Sequence, residues 1–140
     1  RPAFVVHAAR DADGPNLDRI QVIKGWLGKD GKAQERIFDV AVSGGRKIGP
    51  DGRSKAPVGN TVDVANATYT NTIGAPLLSA YWKDPAFDAA QRAFYYVRVI
   101  QIPSPRWTAY DQKRFGVKMD KQVPMVVTDR AYTSPVWYTP

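Results

Sequence analysis

The chain has 140 residues, no cysteine and a formal net charge of +7. That length suits one domain with a core of its own, and the missing thiols exclude disulfides and thiolate-bound metal. Hydrophobic residues at 44% and charged residues at 24% exclude a disordered tail, and no apolar run approaches the roughly 20 residues that span a bilayer.

A basic balance, with a sequence pI near 9.8, invites a nucleic-acid or anionic partner. The placement of the charges argues against it. The longest basic clusters are the pairs Arg46-Lys47 and Lys113-Arg114. Elsewhere acids sit beside bases, as in Asp18-Arg19, Glu35-Arg36, Lys83-Asp84 and Asp129-Arg130. The expectation is a solvated basic surface, with no nucleic-acid partner and no membrane insertion. The opening Arg1-Pro2-Ala3-Phe4 shows no long apolar h-region of an export signal.

Residues 3–9 read as a strand. Asp11-Ala-Asp-Gly-Pro-Asn16 is dense in turn formers. In residues 17–27, Ile20 and Val22 share one face while Arg19 and Gln21 share the other, the period of a half-buried strand. Gly28-Lys-Asp-Gly-Lys32 supplies an Asp-Gly turn. Residues 33–42 then alternate again through Phe38, Val40 and Val42, so the two runs predict a β-hairpin. Residues 43–60, with five glycines and two prolines, form a long loop without periodicity. The loop lacks the Gly-Lys-Ser/Thr ending of a phosphate-binding loop.

The β-branched stretch 61–73 predicts one strand or two. Residues 76–83 fit a helix through Leu77, Leu78, Tyr81 and Trp82, or a strand through Leu78, Ala80 and Trp82. Residues 93–102 predict a central strand in which Arg98 needs a partner or an edge. Ser104-Pro105 looks like an N-cap and first turn, opening a short helix over 106–115 that shows Trp107, Tyr110 and Phe115 and ends at Gly116. Residues 131–138 read as a closing strand. The sum is mainly β: an antiparallel β-sandwich of about six or seven strands with one or two short helices, in a single domain over 1–140.

The inventory of chemistry is thin. The lone histidine, His7, lies among apolar residues in a strand and reads as structural. No serine sits in a Gly-x-Ser-x-Gly setting, and no His-Glu-x-x-His occurs. Asp11, Asp13, Asn16 and Asp18 alternate as calcium ligands would, but an Asx-rich turn accounts for the same residues. Trp26, Trp82, Trp107 and Trp137, with seven tyrosines, could line a sugar-binding face; core and interface packing is their commoner use. No catalytic residue and no cofactor is expected in this chain.

Six phrases resemble one family: Asn16–Trp26, Val58–Asp63, Thr70–Pro76, Arg92–Arg98, Pro103–Thr108 and the terminal Ala131–Pro140. They are similar to the C-terminal portion of the bacterial domain-of-unknown-function family DUF3604. That family's N-terminal portion resembles PHP (polymerase and histidinol phosphatase) metallohydrolases, whose His- and Asp-rich motifs would hold divalent metals. None of those motifs occurs here, so no catalytic residue carries over. The resemblance implies a non-catalytic accessory domain of a longer, hydrolase-like parent, periplasmic or secreted. Arg106, Trp107, Tyr110, Arg130 and Trp137 become candidates for contact with the parent's N-terminal portion, and loop 43–60 for reaching its cleft. The rival readings are a carbohydrate- or ligand-binding sandwich module and a small independent hydrolase.

Overall fold

The computed structural model describes all 140 residues, Arg1–Pro140. Five long strands carry the fold: β1 (Ala3–Ala9), β2 (Leu17–Leu27), β3 (Ala33–Val42), β4 (Leu77–Lys83) and β5 (Ala93–Gln101). Four short strands and one helix follow: β6 (Ser104–Pro105), α1 (Trp107–Phe115), β7 (Val126–Val127), β8 (Arg130–Tyr132) and β9 (Val136–Tyr138). All pairing is antiparallel. The main sheet runs β3-β2-β5-β8, with β9 on β5 beside β8, while β1 pairs with β4 and β6 with β7.

The β1-β4 ribbon lies across one face of the main sheet, giving a sandwich-like arrangement of two unequal layers. Alternation decides what goes inside. Phe4, Val6, Leu78, Ala80 and Trp82 turn inward, whereas Val5, His7, Leu77, Ser79 and Tyr81 face outward. On the sheet side, Val22, Phe38 and Tyr95 receive them. Phe4 and Tyr95 have ring centroids 5.2 Å apart, and Phe38 and Trp82 5.0 Å apart, within the range of favourable aromatic pairs. The expected hairpin is present, with a register shift at Ile20/Gln21.

Its turn recurs. At Gly28–Lys32 the first glycine's N–H donates to the fifth residue's carbonyl, and the fourth residue's N–H to the first carbonyl. Gly49–Arg53, inside the 43–60 loop, repeats both bonds at the same 2.8 and 2.9 Å. In each the central aspartate accepts from the N–H two residues on, at 3.1 Å, and the fourth residue, Gly31 or Gly52, has positive φ.

Several expectations are corrected. Residues 61–73 form no named strand, only an Asp63–Thr68 bridge. The side chains of Thr61, Asn60 and Asp63 bond nearby backbone, Thr61 taking both the N–H and the carbonyl of Thr70, which satisfies it without a ladder. Of the two readings of residues 76–83, the strand holds, over Leu77–Lys83, and the helix does not. Ser104-Pro105 does not cap the helix. It pairs with Val126–Val127, and α1 starts after Arg106 with no side-chain cap. Gly116 closes α1 in the left-handed conformation, as expected. The closing strand splits in two because Thr133 ties to Val97 and Pro135 has no N–H to offer the ladder. The strands therefore number nine. No helix is long and apolar enough to cross a membrane.

Candidate functional site

Charges buried in β2 and β3 set the polar geometry. On the ribbon side, Lys24 Nζ donates to Asp84 Oδ2 at 2.6 Å and to the Ala86 carbonyl at 2.7 Å, and Tyr95 OH donates to the same carboxylate oxygen at 2.8 Å. The Lys24 and Asp84 side chains are 3% and 0% exposed. Burial alone would raise the Asp84 carboxyl, but the bonds from Lys24, Tyr95 and the Ala86 N–H outweigh it and hold Asp84 below the ordinary carboxylate range. Burial first, and Asp84 second, push the Tyr95 phenol well above its usual value. The Lys24 and Asp84 charges are enclosed and satisfied by one another, while Tyr95 also lines the wall of a cleft.

A second network crosses the opposite, outer side of the sheet. Arg98 Nε donates to Gln21 Oε1 at 2.7 Å, and Gln21 Nε2 to Asp39 Oδ1 at 2.7 Å. Asp39 Oδ2 accepts from Arg19 at 3.0 Å and from the Ser54 N–H at 2.7 Å. Asp18 is held by Arg19 at 3.1 Å and by Arg46. Arg46 also donates to the carbonyls of Ser43, Ala56 and Asp18. The partner Arg98 needed is thus Gln21, and the 43–60 loop is pinned against β3 by buried polar groups.

Beyond this network, the outer face is aromatic. Phe94 and Tyr96 alternate with the buried Tyr95, their ring planes within 11° and their centroids 6.3 Å apart. Trp137 adjoins Phe94 at 5.2 Å and Tyr132 adjoins Tyr96 at 6.3 Å. Phe94 leans onto Gly25, where a Cβ would stand 2.2 Å from the ring tip; any other residue there displaces the ring. Trp137, 71% exposed, walls two clefts together with Tyr138. One, of about 340 Å³, also takes Leu27, Arg92 and Phe94; the other, of about 540 Å³, takes Phe4 and Phe87. Beside Tyr132, Arg130 and then Arg98 lower its phenol below the usual range.

The sequence candidates scatter across the surface. Arg106, Trp107 and Tyr110 belong to the start of α1. Arg130 lies opposite Ile100 on β8, and Trp137 opposite Phe94 on β9, about 20 Å away along β5 at the usual rise. Trp107, Tyr110, Arg130 and Trp137 are exposed. Of the other tryptophans, Trp26 and Trp82 pack on the core.

The four candidate calcium ligands do not converge. Asp11 caps the Asp13 N–H, Asn16 holds Asn71 and Ile73, and Asp18 is taken by two arginines. His7 is not enclosed by its apolar neighbours: it faces outward, with Nδ1 2.6 Å from Ser79 Oγ. No side chain holds its other ring nitrogen, so the pair lacks the third group that orients a nucleophile's base. Loop 43–60 shows a shallow basic recess lined by Lys47, Arg53 and Lys55.

Sequence reasoning missed Phe94, Tyr96 and Tyr132 as one row, although the even spacing of Phe94 and Tyr96 on β5 carried half of the signal. It also missed the Lys24–Asp84 pair, whose partners are 60 residues apart. Compared with known proteins, the chain matches no curated protein and no solved structure. A family model does match, over residues 1–140, that of the protein of unknown function DUF3604. The chain belongs to that family.

Proposed function

We propose that this chain is a non-catalytic accessory domain of a longer protein, and that it holds to the rest through the outer face of its main sheet. The observation that carries the reading is the row of Tyr132, Tyr96, Phe94 and Trp137, exposed at Tyr132 and Trp137 and half-buried between them. Exposed aromatics ringed by arginines are the usual anchors of protein contacts. The surface area supports it. The chain exposes 8737 Å², whereas a compact monomer of its mass exposes about 7,200 Å². The excess, roughly 1,500 Å², is the size of an inter-domain interface. By resemblance, the partner is the N-terminal portion of a PHP-like, metal-dependent hydrolase, periplasmic or secreted. The pinned loop 43–60 turns its basic recess toward that portion's cleft.

Hydroxyl-radical footprinting of the full-length protein beside the 140-residue chain tests the interface. Trp137 and Tyr132 are protected only in the full-length protein; equal labelling in both would end the reading. Phosphoester hydrolysis with added divalent metal tests the division of labour: activity appears in the full-length protein and not in the chain alone.

The near-parallel rings of Phe94 and Tyr96 favour a second reading, a platform for sugar rings. Retardation of the chain in gels containing soluble polysaccharide, abolished by Trp137→Ala, would support that reading over the first.

A further inference from the structure

We propose that the outward side of α1, with the turn after it, is a contact site for an anionic lipid surface. Thr108 and Ala109 bury the inner side of the helix. Trp107, Tyr110 and Arg114, spaced i, i+3 and i+7, then lie along the outer side. Phe115 and Val117 flank them, and Trp107 is 60% exposed. Three aromatic rings thus stand in solvent on a single nine-residue helix.

The charge beside these rings has one sign in excess, an excess that the helix and the turn gather although no run of consecutive bases marks it in the sequence. From Arg106 to Lys121 five cations, Arg106, Lys113, Arg114, Lys118 and Lys121, face two acids, Asp111 and Asp120. The first turn of the helix holds no acid, and its last turn holds Lys113 and Arg114. Two of the cations sit on the rings themselves: Arg106 lies 5.5 Å from the Trp107 centroid, and Arg114 5.6 Å from the Phe115 centroid. A guanidinium on an exposed ring meets lipid phosphate while the ring settles at headgroup depth, where Trp and Tyr partition. Basic residues beside such rings add attraction to an anionic leaflet. The helix is too short to span, so it lies on the surface rather than crossing it. Lys113 Nζ donates to the Asn66 carbonyl at 2.8 Å and fixes the helix to the 61–73 segment. The patch is separate from the aromatic row of the sheet.

Co-sedimentation of the 140-residue chain with vesicles tests this. One set is phosphatidylcholine alone; the other carries about one part in three of phosphatidylglycerol. Binding is expected only to the second set, at least about tenfold stronger, and it weakens in high salt. Arg114→Glu with Lys118→Glu removes it, and so does Trp107→Ala with Tyr110→Ala; all four side chains are exposed, and circular dichroism checks that the fold is kept. Lys29→Glu with Lys32→Glu, the same change of net charge at a distant turn, leaves it intact. The proposal is overturned if neither vesicle binds, if both bind equally, or if the Lys29/Lys32 variant loses binding as the Arg114/Lys118 variant does.

Discussion

Lys24, Asp84 and Tyr95 put two charges where apolar side chains would be the simpler choice. Breaking such a pair is far more damaging than replacing it whole. Asp84→Ala leaves the Lys24 ammonium without its partner in the interior, and urea unfolding should show a loss of about 3–5 kcal/mol. The double variant Lys24→Met with Asp84→Leu recovers most of that loss; if it does not, the pair contributes more than charge compensation.

The same triad makes stability depend on pH at both ends of the scale. Asp84 titrates lower in the folded chain than its ordinary 3.8. The unfolded chain takes up this proton first, so the stabilisation is full above 3.8 and is lost as pH falls through the folded value. Tyr95 works at the other end. Its folded value is raised above the ordinary 10.0, so only the unfolded chain releases the proton just above pH 10, and stability declines from there upward. Tyr95→Phe removes the alkaline decline due to this group. Denaturation midpoints for wild type and Tyr95→Phe between pH 8 and 11 would show whether the curves separate (about one tyrosine's worth of proton linkage).

The elements that could be read in the sequence are those whose evidence is local. Alternation through Ile20, Val22, Phe38 and Val40, with an Asp-Gly turn between, is enough to place β2 and β3, because a half-buried strand must alternate. Gly116 likewise ends α1 by its own backbone preference. Residues 61–73 misled because β-branched composition does not reveal that Thr and Asn side chains will satisfy the backbone themselves. The site was legible only in fragments. Periodicity says which residues share a face, so Phe94, Tyr96 and Arg98 could be grouped, but the strand that completes the row, β8 or β9, is fixed only by tertiary pairing.

The 43–60 segment is the sharpest case. Its glycines and prolines mark only a long loop without periodicity, but Arg46 and Asp39 anchor it across a span that no local pattern shows. Arg46→Ala should therefore speed amide exchange at Ser43 and Ser54 by about tenfold or more, while Val22 and Phe38 in the hairpin stay protected. Unchanged exchange at Ser54 would mean that the turn at Gly49–Arg53 holds the segment unaided.

As a whole, the molecule buries only 22 of its 140 residues and leaves Leu27, Tyr132 and Trp137 in solvent at one sheet face. Apolar surface of this kind is a liability for a free chain. The isolated chain should self-associate as its concentration rises, and Trp137→Ser with Leu27→Ser should suppress this without lowering the melting temperature. Sedimentation velocity over a concentration series decides the point; a wild-type chain that stays monomeric throughout would show that the face tolerates water.

The β1-β4 ribbon has a consequence for how the chain comes into being. His7 and Ser79 face each other although 72 residues separate them. While the ribosome is still adding the hairpin and the pinned loop, the first strand has no mate, and Phe4 waits unshielded until Trp82 emerges. Long-separation pairing of this kind is slow. Through most of synthesis the apolar face around Phe4 is thus left without the strand that covers it.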